Sequence, residues 1–201
     1  GSKMLDKNRE EKAEVTTANS GTRIVSGRKG HWSTRQLVTM ALFIAIGVIL
    51  SFIEFPLIPG TDFLKYDASA VPAMIMAFAY GPASGCLVGV LTAAIHSFDG
   101  NIWGGVMNMV IVMAYVLPAS LLYRYKKTTI SLVIGLVISC VTMVAAAILM
   151  NLVVTPIYAG IPVEAVISLI IPILLPFNIL KALINSVLSF LVQKSLASFL
   201  R

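Results

Sequence analysis

The run 130–154 carries no charged side chain and, at ~1.5 Å per helical residue, is long enough to cross the ~30 Å hydrocarbon core of a bilayer. Lipid offers no water to backbone N–H and C=O groups, so a run of this kind is confined to helix. Similar apolar blocks occupy 34–52, 68–80, 83–98, 103–123 and 166–200, divided by charged or Pro/Gly-rich breaks. Only 12% of the 201 residues are charged, about half the share of a soluble domain, and mean hydropathy is +0.90. The expected fold is therefore all-α: a polytopic membrane protein with six transmembrane helices.

The net charge of +6 does not point to nucleic acid, because its distribution is that of a membrane topology. Lys3, Lys7, Arg9, Lys12, Arg23, Arg28, Lys29 and Arg35 crowd the N-terminus; Arg124, Lys126 and Lys127 form one short loop; Lys194 and Arg201 close the chain. Six spans bring these groups to one side, which the positive-inside rule makes the cytoplasm, with both termini there. Glu54, Asp62, Asp67, Asp99 and Glu164 fall on the outer side, with Lys65 as the counterweight. Residues 1–33 read as a disordered cytoplasmic tail, and 34–201 as the membrane domain. Gly1-Ser2 reads as a tag remnant, and no signal peptide is expected. Cys86 and Cys140 lie far apart in apolar runs, which gives neither a disulfide scaffold nor a zinc spacing.

Within the last run, Asn178, Lys181 and Asn185 stand at i, i+3 and i+7 and share one helix face. A lysine near the bilayer midplane costs about 2.5–3.5 kcal/mol on insertion scales, so it points into a cavity or snorkels to the interface. Asn108 and Asn151 reach a similar depth, in the outer half of the membrane. These amides either bond one another and glue helices together, or line an outward-opening polar pocket. The loop 55–67 would cover such a pocket, and its Phe63-Leu64-Lys65-Tyr66-Asp67 serves either as a lid over a flat ligand or as an interfacial anchor. Thr155 and Tyr158 flank the mouth, where Thr155-Pro156 is expected to break the fifth helix. His96 and Asp99 could suggest a metal, but a lone pair at a helix end is more often a cap or a contact, and no metal is expected.

Ala41-x-x-x-Ala45 and Gly85-x-x-x-Gly89 permit close helix approach, either within the bundle or toward another membrane subunit. No G-x-x-x-x-G-K-[ST], H-E-x-x-H or G-x-S-x-G motif occurs, and no paired intramembrane carboxylate, so neither an enzyme nor a proton relay has its parts. No internal repeat supports an inverted-repeat transporter.

Several motifs, in order and spacing, carry a likeness to a known family. They are Leu64-Lys65-Tyr66-Asp67 with Val71-Pro72-Ala73, then Tyr80-Gly81-Pro82-Ala83-Ser84-Gly85 and Trp103-Gly104-Gly105-Val106-Met107-Asn108. Leu117-Pro118-Ala119-Ser120-Leu121-Leu122-Tyr123, Met150-Asn151 with Thr155-Pro156-Ile157-Tyr158, and Leu175-Pro176-Phe177-Asn178-x-x-Lys181 complete the set. Over about 34–196 the chain resembles the substrate-binding S component of energy-coupling-factor (ECF) vitamin transporters, most of all the riboflavin branch. One departure is Asp67-Ala68-Ser69-Ala70, where that branch usually has an acidic residue just before Val-Pro.

The resemblance implies a bacterial cell-membrane protein that captures riboflavin from outside and topples to release it inward. Its partners would be a membrane scaffold subunit and two cytoplasmic ATPases, with no cofactor, the vitamin being cargo. Asn151, Asn178 and Lys181 would hold the flavin beside the Lys65–Asp67 loop, and Ala41, Ala45, Gly85 and Gly89 would meet the scaffold. A lone buried cation disfavours thiamine, itself positively charged, and the N-terminal Met-His segment of nickel and cobalt relatives is absent. A pantothenate, biotin, folate or pyridoxine S component, or a structural membrane protein without ligand, remain the alternatives.

Overall fold

The computed structural model describes residues 32–60 and 64–199, the side chains of 197–199 excepted. The expected tail up to residue 31, and Asp62, Phe63 and Arg201, lie outside the described residues. The described chain forms α1 (Thr34–Ser51), a ribbon of β1 (Phe55–Pro56) and β2 (Lys65–Tyr66), α2 (Ala70–Tyr80), α3 (Pro82–His96) and a 3-10 turn (Ser97–Asp99). It continues as α4 (Ile102–Tyr125), α5 (Thr129–Ala159), α6 (Val163–Leu169), a π-helical turn (Ile170–Leu174) and α7 (Leu175–Phe199). The architecture is all-α apart from the ribbon, in which Phe55 pairs with Tyr66 and Pro56 with Lys65.

Among the described residues, four helical stretches are long and apolar enough to cross a membrane: Thr34–Ser51, Ile102–Tyr125, Thr129–Ala159 and Val163–Leu196. The 11 residues of α2 and 15 of α3 extend only ~16 and ~22 Å, short of the ~30 Å core. In α2 every residue from 71 to 78 is buried, because α3, α4 and α7 pack around it. An apolar helix without a polar face is stable only when enclosed in this way.

Proline does not end the helices where its local chemistry would suggest. The expected break at Thr155-Pro156 is absent: α5 runs on to Ala159 and stops at Gly160, which takes the left-handed conformation (φ 64°) and donates its N–H to Pro156 O. α4 likewise continues through Pro118. Pro118 has no N–H for the carbonyl of Ala114, and Thr142 of α5 donates its hydroxyl to that oxygen at 2.7 Å. One residue on, Ala119 N–H donates to Ser139 Oγ at 3.0 Å. A neighbouring helix thus supplies the hydrogen bonds that proline removes. The last apolar run begins at Val163, earlier than the expected 166, and opens into a π turn around Pro172, just before Pro176. That wider turn relieves the clash of the proline ring with the preceding turn.

Gly85 and Gly89 face inward, so the partner surface expected of them is not available. A Cβ on Gly85 would lie 2.3 Å from Ala77 Cβ and 2.8 Å from Ala73 O of α2, and one on Gly89 would lie 2.8 Å from a Val112 methyl of α4. Their small size serves packing within the bundle. Ala41 and Ala45 are instead exposed on the outer face of α1, among Leu37, Val38, Leu42, Ile46 and Ile49.

Candidate functional site

One end of the bundle encloses a cavity of about 420 Å³. Its rim comes from Glu54, from Leu64, Lys65 and Asp67 of the ribbon region, and from His96, Asp99 and Asn101 between α3 and α4. Its walls are Gly104, Gly105, Met107, Asn108 and Ile111 of α4, and Asn151, Thr155 and Tyr158 of α5. Val166, Leu169, Leu174, Phe177, Asn178 and Lys181, from the broken last helix, complete it. A chamber of about 40 Å³ adjoins it, sharing Asp67, His96, Asn108, Ile111 and Lys181 and adding Ser51, Ser69, Thr92 and Tyr115.

Local structure explains how these side chains converge. Asn101 caps α4 by accepting the Gly104 N–H on Oδ1 at 2.9 Å. A Cβ on Gly105 would sit 2.2 Å from Ser97 Cβ, so glycine there lets α4 start tightly against the end of α3. Because α5 passes through Pro156 unbroken, Asn151, Thr155 and Tyr158 stand at i, i+4 and i+7 on one face. Thr155 Oγ1 donates to Asn151 Oδ1 at 3.0 Å, and Asn151 Nδ2 to Ala147 O at 2.8 Å, which fixes that amide. Asn178 Nδ2 donates to Leu174 O at 2.8 Å, and its Oδ1 has no hydrogen bond among the described residues. Asp67 Oδ1 accepts the Ser69 N–H at 2.9 Å, turning the chain from the ribbon into α2.

The electrostatics divide the site in two. At the rim, Glu54 lies 3.5 Å from Lys65 Nζ and 3.2 Å from His96 Nε2, and Asp99 lies 3.9 Å from the same nitrogen. Such partly exposed pairs contribute little to stability and serve to orient one another. Deeper, the half-buried Lys181 amine has neither a hydrogen-bond nor an ion-pair partner among the described residues. Asn108 is similarly without a side-chain hydrogen bond there. An intramembrane cation without a protein counter-charge, set beside open amides, is a ready receiver for ligand oxygens.

Eight of the expected site residues meet at this cavity: Lys65, Asp67, Asn108, Asn151, Thr155, Tyr158, Asn178 and Lys181. Tyr66 and Asn185 do not line it. They bond each other instead, Tyr66 Oη donating to Asn185 Oδ1 at 2.9 Å, with Tyr66 3% and Asn185 0% exposed. Burial first, and the Asp67 charge second, push the Tyr66 phenol up to about 12. Reasoning from sequence missed Glu54, Asn101 and Phe177 as lining residues and weighed His96 as a helix cap or contact rather than as part of the site. Among the described residues no group of three or more His, Cys, Asp and Glu side chains is placed to hold a metal ion. The missed residues come from separate turns, and only their approach in space reveals them.

The family of substrate-specific components of ECF transporters matches residues 35–193. The chain belongs to the ECF transporter S components. It is a transport subunit of a multi-pass membrane protein family, not an enzyme. This S component is similar to the riboflavin transporter RibU of Staphylococcus aureus (strain TCH60), at 30% identity over 83% of this chain and 93% of the relative. The riboflavin transporter FmnP of Bacillus subtilis (strain 168) is 25% identical over 79% of this chain and 90% of its own. Among solved structures, the S component of a bacterial ECF transporter superposes with a TM-score of 0.72 at 28% identity, covering 83% of this chain and 98% of that one.

Proposed function

We propose that this S component binds riboflavin in the 420 Å³ cavity and delivers it to an ECF complex in the bacterial cell membrane. The observation that carries the reading is Lys181, a cation inside the bundle with no partner among the described residues, beside Asn108, Asn151 and Asn178. Met107, Ile111, Val166, Leu174 and Phe177 would take the flat apolar ring system. The lysine and the amides would receive its carbonyl oxygens, and Lys65 and Asp67 of the rim with Thr155 of the wall its hydroxylated chain. The volume falls in the roughly 300–1,000 Å³ range of sites for molecules of this size. The riboflavin relatives named above support the choice of vitamin. A structural protein without ligand would leave both the cavity and an unpaired intramembrane lysine without a purpose.

In this proposal the six helices α1, α2, α3, α4, α5 and the broken α6–α7 all lie in the membrane, with both termini cytoplasmic. The supporting observation is charge at the end opposite the cavity. The cavity uses the first turns of α4 and the last turns of α5, so Arg124, Lys126 and Lys127 lie a helix length away. Lys194 of α7 bonds Thr129 Oγ1 at that same end. The cavity then opens outward. The exposed Ala41 and Ala45 face of α1 would meet the membrane scaffold, which in turn carries the two ATPases.

The test is a flavin-fluorescence quenching titration of the purified protein, with excess pantothenate, biotin, folate or pyridoxine as competitors. Saturable one-to-one quenching, undisturbed by the competitors, is expected. Absence of quenching, together with no thermal shift from riboflavin, overturns the proposal.

A further inference from the structure

The contact between Tyr66 and Asn185 joins residues 119 apart in sequence, and neither of them lines the cavity. Their neighbours do: Leu64, Lys65 and Asp67 in and beside β2, Asn178 and Lys181 on one helix. We infer that Tyr66 is a positioning residue, a pin that fastens the rim loop to the wall helix α7 and so sets how long a bound ligand stays. This inference rests on the cavity being the ligand site.

The physical case begins with the ribbon. Two residues per strand cannot hold an antiparallel pair together in isolation. Lys65, at 50% side-chain exposure, adds only the solvent-facing pair with Glu54. The anchor is therefore the Tyr66 ring, which packs against Phe55 at 5.2 Å between centroids and is otherwise enclosed by the bundle. At its tip the hydroxyl reaches Asn185 one turn below Lys181 on α7.

Asn185 Nδ2 is buried without a partner among the described residues, so Tyr66 makes the amide's only side-chain hydrogen bond described there. The adjacent serine is already committed. Ser186 Oγ bonds Tyr115 Oη at 3.2 Å and Cys140 Sγ at 3.0 Å. The phenol also stays protonated across the physiological range, so it is a permanent donor.

Removing the hydroxyl keeps the ring and its packing but frees the loop to lift. A ligand leaving past the rim has to break this bond, and among variants of one site most of a change in affinity falls on the dissociation rate. Tyr66→Phe should therefore raise the riboflavin dissociation rate roughly three- to tenfold, the range of one neutral buried hydrogen bond, with the association rate within about twofold. Asn185→Leu should give the same change, and the double variant no more than either single one.

Stopped-flow fluorescence gives both rates. Hydrogen exchange on the liganded protein gives the local signature: peptides spanning 64–70 lose protection in Tyr66→Phe while those of α4 do not. A merely structural role would lower protection throughout and leave the ratio of the two rates unchanged. Unchanged dissociation in Tyr66→Phe, or additive effects in the double variant, overturns the pin. Should the parent chain fail to bind riboflavin at all, the proposed function falls first, and that outcome is read before any variant is made. If Asn185→Leu does not fold, Tyr66→Phe alone still decides by its rates and exchange pattern.

Discussion

Replacing Lys181 by methionine separates ligand binding from stability more cleanly than any other single change. The methionine keeps most of the stem volume and deletes the ammonium. In the empty protein that ammonium has no partner among the described residues, so its loss breaks no internal bond. It also removes a group that costs about 2.5–3.5 kcal/mol on insertion scales. The empty protein should therefore unfold at the same temperature as the parent or higher. With riboflavin bound, the ammonium would donate to a carbonyl oxygen, an interaction worth about 1.5–3 kcal/mol when one partner is charged. At about 1.4 kcal/mol per decade, Kd should rise between about tenfold and about 150-fold. Fluorescence quenching gives the Kd, and thermal unfolding of the ligand-free protein gives the stability. A Kd within twofold of the parent refutes the role of the lysine. A weakened Kd accompanied by a lower unfolding temperature would show instead that the amine is a structural group.

Four further outcomes test the fold around the site. Gly85→Ala should lower stability by about 1–3 kcal/mol, since its methyl meets Ala73 O and Ala77 of α2, while Ala45→Leu on the exposed face should leave unfolding unchanged and, on the proposed docking, abolish riboflavin uptake by the assembled transporter. Thr142→Val should cost about 1 kcal/mol in thermal unfolding because the Ala114 carbonyl loses the donor that replaces the missing Pro118 N–H, and the cost should shrink in a Pro118→Ala background. For Tyr66, the folded pKa of about 12 lies above the ordinary 10.0, so its contribution is complete below pH 10 and is lost as pH rises toward 12; riboflavin affinity measured from pH 7 to 9 should be flat with respect to this group, and an ultraviolet titration compared with that of Tyr66→Phe should show that the phenol lost in the variant is a late-ionising one.

Legibility in the sequence followed the range of the physics involved. Insertion into lipid depends on local hydropathy and charge, so the apolar runs and the helical class could be read from residues taken in order. The cost of an intramembrane cation is also local, which is why Lys181 and the amides of α4, α5 and α7 stood out, and the fold brings them to one cavity. Periodicity placed Asn185 on the face of Lys181, yet could not say that Tyr66 would occupy it from 119 residues away. The same limit hid the rim. Glu54 and His96 stand 3.2 Å apart only because α1 and α3 end together.

Proline and glycine show the division most clearly. By local rules Pro156 ends a helix, and Gly85-x-x-x-Gly89 permits close approach either within the bundle or toward another subunit. In the bundle α5 runs through the proline to Gly160, and the glycines are filled by Ala73, Ala77 and Val112. Residue chemistry by itself determined that this chain must be helical, must lie in a membrane and must carry one lysine and several amides within its apolar runs. Only the tertiary structure decided which carbonyls a neighbouring helix would satisfy, which small residues would face inward, and which polar groups would be left open to a ligand. The reason is that hydropathy belongs to one segment at a time, whereas hydrogen-bond satisfaction and close packing belong to pairs of segments that meet only after folding.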